Sequence, residues 1–410
     1  MNIKQIIIFL IFTTSLVSED QFNTRFNYFG NLSASKLSSS GFYLNNYSHD
    51  SVSSDLSLTP YSKAGAQISI NNNNFTFTAQ GLIRKENDNY KVELTWLNLK
   101  YDIDDNFAIR GGRIQTKMLL HSESLDIDYL QLWAKPPVEV YNLMPIRTYD
   151  GIELIYDKTF NDYTLSISAV GLASFSDNIN GSIEEVVIDV DDSHSFALEL
   201  SSDMFKYKAS YTKSKVNIED DATTKTIVNG LSAYGNDMDR FTYENRTISV
   251  YSLGFQFRNN DFTLDSEIAY SQTNSLLASS IGAYMMVGYK INDFTPYIMY
   301  AENQNDKSHY DTSSIKTSDA TSKALKRKLD DLLYLGNFSQ STASLGVRYD
   351  IKIGMALKMQ IDRMSSTNYG SISSSTVQSV GYEKFGVISR ESGTEDKDIY
   401  AFNVSFCFAY

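Results

Sequence analysis

Read back from its last residue, the chain alternates. Tyr410, Phe408, Phe406, Val404, Phe402 and Tyr400 fall on one set of positions, and Ala409, Cys407, Ser405, Asn403 and Ala401 on the other. Successive side chains of a strand point to opposite faces, so this segment predicts one large apolar face and one small, mostly polar one. Six large apolar side chains in a row on one face suit hydrocarbon. In a transmembrane barrel one face of each strand meets lipid and the other meets the lumen. Aromatic residues at both ends of the row fit interfacial girdles.

The same pattern predicts sixteen strands, near 21–34, 64–71, 74–84, 91–102, 107–117, 149–158, 162–174, 193–202, 205–217, 246–259, 261–274, 279–291, 294–304, 339–350, 353–366 and 398–410. Most have the ~9–11 residues that a tilted strand needs to span a bilayer. The strand at 64–71 is short, and Gly111–Gly112 reads as a bulge in the fifth. Charged residues such as Glu199, Lys208, Glu267, Arg348, Lys358 and Asp362 alternate with Tyr207, Phe255, Ile268, Val347, Met359 and Ile361. A register slip of one residue would turn all those charges to the lipid, so the register is well determined.

The connections test this independently. Short polar turns at 71–74, 102–106, 159–162, 201–204, 259–261, 291–293 and 350–352 alternate strictly with eight other connections, most of them longer. That is the pattern of short periplasmic turns and long outer loops, and an even strand count places both termini on the periplasmic side. In the seventh outer loop, Leu325, Leu329, Leu332 and Leu333 share one face of a predicted helix at 324–335, which reads as packing over the rim or as a lid.

The N-terminus reads as a signal peptide over 1–18. Lys4 precedes the apolar run Ile6–Phe12, and small and polar residues follow up to Ser18. The remainder, 19–410, reads as one barrel domain. No other stretch approaches the ~20 apolar residues of a membrane helix, so a membrane-spanning chain of this composition must be a closed barrel. The 28 Tyr and 23 Phe set against 2 Trp, 5 Pro and 1 Cys agree with that. The net charge of −13 gives a nucleic-acid partner no electrostatic support. Lone Cys407 offers no disulfide framework. The four histidines fall in or beside outer loops, and His121-Ser122-Glu123 is a run of neighbours rather than a triad. There is no metal motif, phosphate loop or dinucleotide fingerprint, so neither cofactor nor catalytic residue is expected.

The third outer loop, 118–148, carries Glu123, Asp126, Asp128 and Glu139, together with Leu119, Leu120, Leu125, Leu130, Leu132 and Trp133. A loop surrounded by solvent would not need that apolar mass. The order of elements resembles the sixteen-stranded porins of Gram-negative outer membranes. Gly112-Arg113, Trp133-Ala134-Lys135-Pro136-Pro137-Val138-Glu139-Val140-Tyr141 and Tyr149-Asp150-Gly151 resemble a porin-like group within them, with Lys135 where arginine is expected. The resemblance implies a third loop folded into the lumen. Glu123, Asp126, Asp128 and Glu139 would then form an acidic side of a pore constriction, opposite a basic wall of Arg84, Lys100, Arg110 and Arg113. It also implies passive diffusion of small hydrophilic solutes and ions, a homotrimer, and contact with outer-membrane lipid and lipopolysaccharide. Phe406, Phe408 and Tyr410 resemble the C-terminal signal read by barrel-assembly machinery. A substrate-specific channel and a surface adhesin with working loops are the alternative readings.

Overall fold

The computed structural model describes residues 22–45, 51–86, 89–143, 146–180, 185–219, 222–276, 278–306, 311–335, 339–366, 388–390 and 398–410. The expected signal peptide and most of the eighth outer loop lie outside the described residues.

A single antiparallel sheet closes on itself. Its strands are β1 (Asn23–Leu37), β2 (Lys63–Asn72), β3 (Phe75–Glu86), β4 (Asn89–Asp102), β5 (Phe107–Gln115), β6 (Thr148–Phe160), β7 (Tyr163–Asn180), β8 (Glu185–Ser201), β9 (Phe205–Ile218), β10 (Arg246–Arg258), β11 (Phe262–Thr273), β12 (Ser280–Tyr289), β13 (Phe294–Asn305), β14 (Gln340–Lys352), β15 (Met355–Ser366) and β16 (Ile399–Ala409). Each pairs with its sequence neighbour, and β1 closes the ring by pairing with both β2 and β16. Closure leaves no sheet edge unpaired. All sixteen expected strands are present. The hairpin β7–β8 runs further than expected, because Ile188 and Val190 continue the buried alternation into the acidic stretch expected to be loop.

Short turns at one end fix the register. Asn73, Asn161, Asn292 and Gly354 take positive φ of 49°, 53°, 55° and 83°, a conformation that asparagine and glycine tolerate best. At two other turns an asparagine or aspartate side chain accepts main-chain hydrogens. Asp104 Oδ1 accepts from the N–H groups of Asn106 and Phe107 at 2.8 Å each, and Asn259 Oδ1 from Asp261 and Phe262 at 3.0 and 2.7 Å. Both described chain ends lie at this short-turn end. There the N–H of Tyr28 donates to the carbonyl of Tyr410 at 2.7 Å, and the N–H of Tyr410 donates back at 2.9 Å.

The outer wall is apolar, with Leu32, Leu99, Leu154, Leu253, Ile298, Leu345, Ile361 and Phe402 exposed. Beside the short turns aromatic residues pair across strands. Phe75–Tyr101, Phe107–Tyr156, Phe205–Phe257 and Phe294–Tyr349 have ring centroids 4.8, 4.7, 5.0 and 4.7 Å apart. Tyr211 and Tyr251 pair at 4.9 Å about midway along their strands. An aromatic band beside an aliphatic belt matches the edge of a hydrocarbon layer. No helix among the described residues is long and apolar enough to cross a membrane.

Among the described residues three α-helices lie off the wall: α1 (Val138–Tyr141), α2 (Ala222–Ser232) and α3 (Ala320–Leu335). The expected helix at 324–335 is α3. It starts four residues earlier because Asp319 Oδ1 accepts the N–H of Ser322 at 2.7 Å and caps it. Leu329, Leu332 and Leu333 are buried, as the pattern predicts, against Ile227 and Leu231 of α2. Helix α2 is not evident from the sequence. At the same end the short strands Phe42–Asn45, Ser51–Val52 and Ile388–Arg390 form a small separate sheet.

Candidate pore constriction

The third loop, residues 116–147, turns into the barrel immediately after β5. Its first leg reaches β9–β11. The carbonyl of Met118 accepts from Ser210 and Ser252 at 2.5 and 2.6 Å, and that of Leu119 from Lys208 Nζ at 2.9 Å. The N–H of Leu120 donates to Glu267 Oε1 at 2.6 Å. The loop then reaches β14 and β15. Arg348 Nη1 donates to the carbonyls of Tyr129 and Gln131 at 2.6 and 3.0 Å. Lys358 Nζ donates to those of Asp128, Gln131 and Trp133 at 2.5, 2.6 and 3.1 Å. A lysine has three donors, and here all three serve main-chain oxygens of the loop.

An apolar core completes the docking. Leu119, Leu125, Leu132, Trp133, Val140 and Tyr141 pack against Ile188, Val190, Val216, Val250, Tyr284, Met286, Tyr297 and Met299 of the inner wall. Trp133 meets His121 and Tyr284 edge-on, with centroids at 5.2 and 5.8 Å. Tyr297 lies over Gly346, where an added Cβ would sit 2.2 Å from its ring. That glycine leaves room for the Tyr297 hydroxyl to donate to Gln360 Oε1 at 2.8 Å, which also accepts the N–H of Ala134 and Lys135 at 3.0 and 3.1 Å. Lys135 Nζ lies 2.8 Å from Asp362 Oδ2, both side chains being buried.

The charged groups do not form two opposed rows. Asp126 and Asp128 reach Lys63 at the start of β2, at 3.8 and 3.2 Å, and Arg147 joins Asp126 at 3.0 Å. Lys117 lies 3.9 Å from Glu123 and 2.8 Å from Glu153, which Arg110 approaches at 3.5 Å. Arg84 pairs with Glu93 at 2.6 Å. Lys100 pairs with Asp102 of its own strand at 2.8 Å, beside a short turn. Positive and negative groups therefore alternate along the wall. Glu123 is the most exposed of the four acidic loop residues at 38%.

Burial works against the charge on Asp126, but Arg147, Lys63 and Arg84 outweigh it and hold its carboxyl below the ordinary carboxylate range. For Asp128 burial wins and pushes the carboxyl up. Burial likewise holds the His121 imidazole below its ordinary value, against the opposing effect of Asp265. His121 Nε2 faces Asp265 at 3.3 Å, and Ser122 Oγ accepts the N–H of Leu119 at 2.9 Å. His121, Ser122 and Glu123 thus point to different partners and assemble no nucleophile–base pair.

Two expected site residues are corrected. Glu139 does not face water. It is buried at the start of α1, and its carboxylate accepts from Gln340 and Thr342 of β14. Arg113 does not face the lumen. β5 pairs with both neighbours through Gly111 and Gly112 without a register shift, so Arg110 and Arg113, three apart, point to opposite faces. Bulges lie on either side of β5, in β4, where Thr95 is the extra residue opposite Gln80 and Gly81, and between β6 and β7 at Asp150–Ile152. Arg113 lies on the outer wall, where Nε and Nη2 donate to Oδ1 and Oδ2 of Asp150 at 2.9 and 2.7 Å. Arg113→Glu is therefore expected to leave the reversal potential in a salt gradient unchanged, and a shift towards cations would return Arg113 to the lumen.

Lys63, Glu93, Lys117, Arg147 and Glu153 complete the arrangement and were not singled out from sequence. Lys63 could have been found by extending the short second strand one residue backwards, in phase with its inward positions.

Neither a family model nor a curated protein matches this chain by sequence. The fold does have solved counterparts. The anion-selective porin from Comamonas acidovorans is 10% identical over 95% of this chain and 100% of its own, with a TM-score of 0.53. OmpT of Vibrio cholerae, an outer-membrane protein folded in vitro and solved in a trimer form, is 9% identical over 95% and 100%, with a TM-score of 0.53. Salmonella typhi OmpF, in complex with daunomycin, is 11% identical over 96% and 99%, with a TM-score of 0.50. At these identities the likeness is one of fold: the chain is a closed sixteen-stranded barrel of the kind seen in outer-membrane porins.

Proposed function

We propose that this protein is an outer-membrane porin, a water-filled channel for passive diffusion of small hydrophilic solutes and ions, with no chemical step. One observation carries the reading. Loop 3 docks by its apolar side on the β8–β13 wall, and Glu123, Lys117 and Arg110 stay partly exposed on its other side. A barrel of this strand number has room for an aqueous path beside such a loop. Glu123, Asp126 and Asp128, with Lys63, Lys117, Arg110, Arg147 and the Arg84–Glu93 pair, would line the constriction. Because opposite charges there lie within 4 Å of one another, their fields largely cancel at a distance and ion selectivity should be weak.

The remaining expectations belong to the same reading. The mature chain would follow a signal peptide at 1–18, sit in outer-membrane lipid and lipopolysaccharide with both termini periplasmic, and form a homotrimer. The trimer form of the Vibrio cholerae neighbour supports that last point by likeness of fold. Phe406, Phe408 and Tyr410 would be read by the assembly machinery. The packed helices α2 and α3 favour a second reading, in which the outer loops bind a surface partner. Liposomes containing purified protein separate the two. Swelling in small sugars, falling with solute size, is expected of the channel. Liposomes that neither swell nor conduct would leave only the surface role.

A further inference from the structure

We propose that the lumenal wall of β4–β6, together with Lys117 and Glu123, is a binding subsite for small zwitterions bearing one carboxylate and one ammonium group, the chemistry of a free amino acid. The inference rests on the channel reading and names a solute class for it.

Two cations stand side by side on this wall. The Arg110 guanidinium lies over the Trp96 ring, 5.7 Å from its centroid. Lys117 follows two residues past the end of the same strand. Glu153, fully buried, lies 2.8 Å from Lys117 Nζ and 3.5 Å from Arg110 Nε, and so holds both in place. Glu123 stands on the loop side, 3.9 Å from Lys117, beyond hydrogen-bond distance.

The second observation is independent of charge. Arg110 Nε and Nη1, the indole N–H of Trp96 and the hydroxyl of Tyr149 are buried and make no hydrogen bond to the protein. Buried polar atoms are rarely left so, and each costs about 1–3 kcal/mol. Other buried polar atoms without a hydrogen bond lie where loop 3 docks, Lys135 Nζ and Tyr284 Oη among them, but these four lie on the three adjacent strands β4–β6. Every one of the four can donate.

The ligand class follows from these groups. A carboxylate matches the donors of Arg110, Lys117, Trp96 and Tyr149. An ammonium group matches Glu123 from the opposite side. Arg110 and Lys117 against Glu153 and Glu123 sum to zero, so a zwitterion leaves the balance unchanged. A simple anion would leave Glu123 unsatisfied, and a simple cation would be repelled by the pair on the wall.

The test uses the full chain in planar bilayers in potassium chloride, with glycine, acetate and methylammonium as probes. Glycine is expected to reduce single-channel current saturably, and the other two to have little effect at equal concentration. Glu123→Gln and Arg110→Gln should each raise the half-saturating glycine concentration by about tenfold, the loss of one charge-assisted hydrogen bond. Equal block by acetate would overturn the assignment in favour of an anion site. Normal conductance with no saturable glycine effect, or block unaltered in both variants, overturns the subsite and leaves the channel standing. Absence of conductance overturns both.

Discussion

Asp362→Ala is expected to free loop 3 from the wall and raise single-channel conductance without unfolding the barrel. Asp362 is the buried counter-ion of buried Lys135 at 2.8 Å, and it also accepts from Gln360 Nε2 at 2.7 Å. Removing one partner of such a pair leaves an uncompensated charge at a cost of about 3–5 kcal/mol. The stretch 133–135 cannot move away from Asp362 while Gln360 and Lys358 hold its main chain, so the cost falls on docking as a whole. The strand ladder does not depend on it. The double variant Lys135→Met/Asp362→Leu removes both charges and should dock close to normally. Conductance, together with proteolysis within loop 3, reads the effect. A single variant with normal conductance and a protected loop would show that the ion pair does not hold the loop.

Val404→Arg should lower the stability of the barrel in a bilayer by about 2–4 kcal/mol, the cost of a cation on the lipid face near the midplane. Val404 is exposed on β16, opposite Met359 of β15 and Ala34 of β1. It lies midway along the strand, so an arginine there is poorly placed to reach the interface. Val404→Leu keeps the face apolar and should cost less than about 1.5 kcal/mol. Urea unfolding of protein refolded into vesicles compares them. Equal midpoints for the two variants would mean that this face does not meet hydrocarbon.

Much of the fold was legible because a barrel strand has only two faces. Alternation fixed which residues point inwards, and the turns carried their own chemistry in Asn73, Asn161, Asn259 and Gly354. Helix α3 was legible from its leucines. Helix α2 was not, because Thr223, Thr224 and Thr226 are β-branched and poor helix formers, so its weak apolar stripe of Ile227 and Leu231 did not stand out.

The site was legible in outline only. The apolar mass of loop 3 announced that it packs, and the loop does so. Its partners could not be read, since Lys63, Gln360 and Asp362 meet it through closure of the ring rather than through nearby sequence. The error over Arg113 has a different cause. Arg113 was placed on the basic wall by the resemblance, whereas plain alternation from Arg110 puts it on the other face, and β5 pairs there without a register shift.

The docking of loop 3 also sets an order of events during biogenesis. Ala134 and Gln360, which share a hydrogen bond, are 226 positions apart. Leu119, Leu125, Leu132 and Trp133 are synthesised long before Met286, Tyr297 and Met299, the wall that covers them. During that interval a sticky segment has no native partner, and such long-range contacts form late and slowly. Refolding should therefore run in two phases, with ring closure preceding burial of Trp133. The barrel would exist for a time with a wider lumen before loop 3 narrows it.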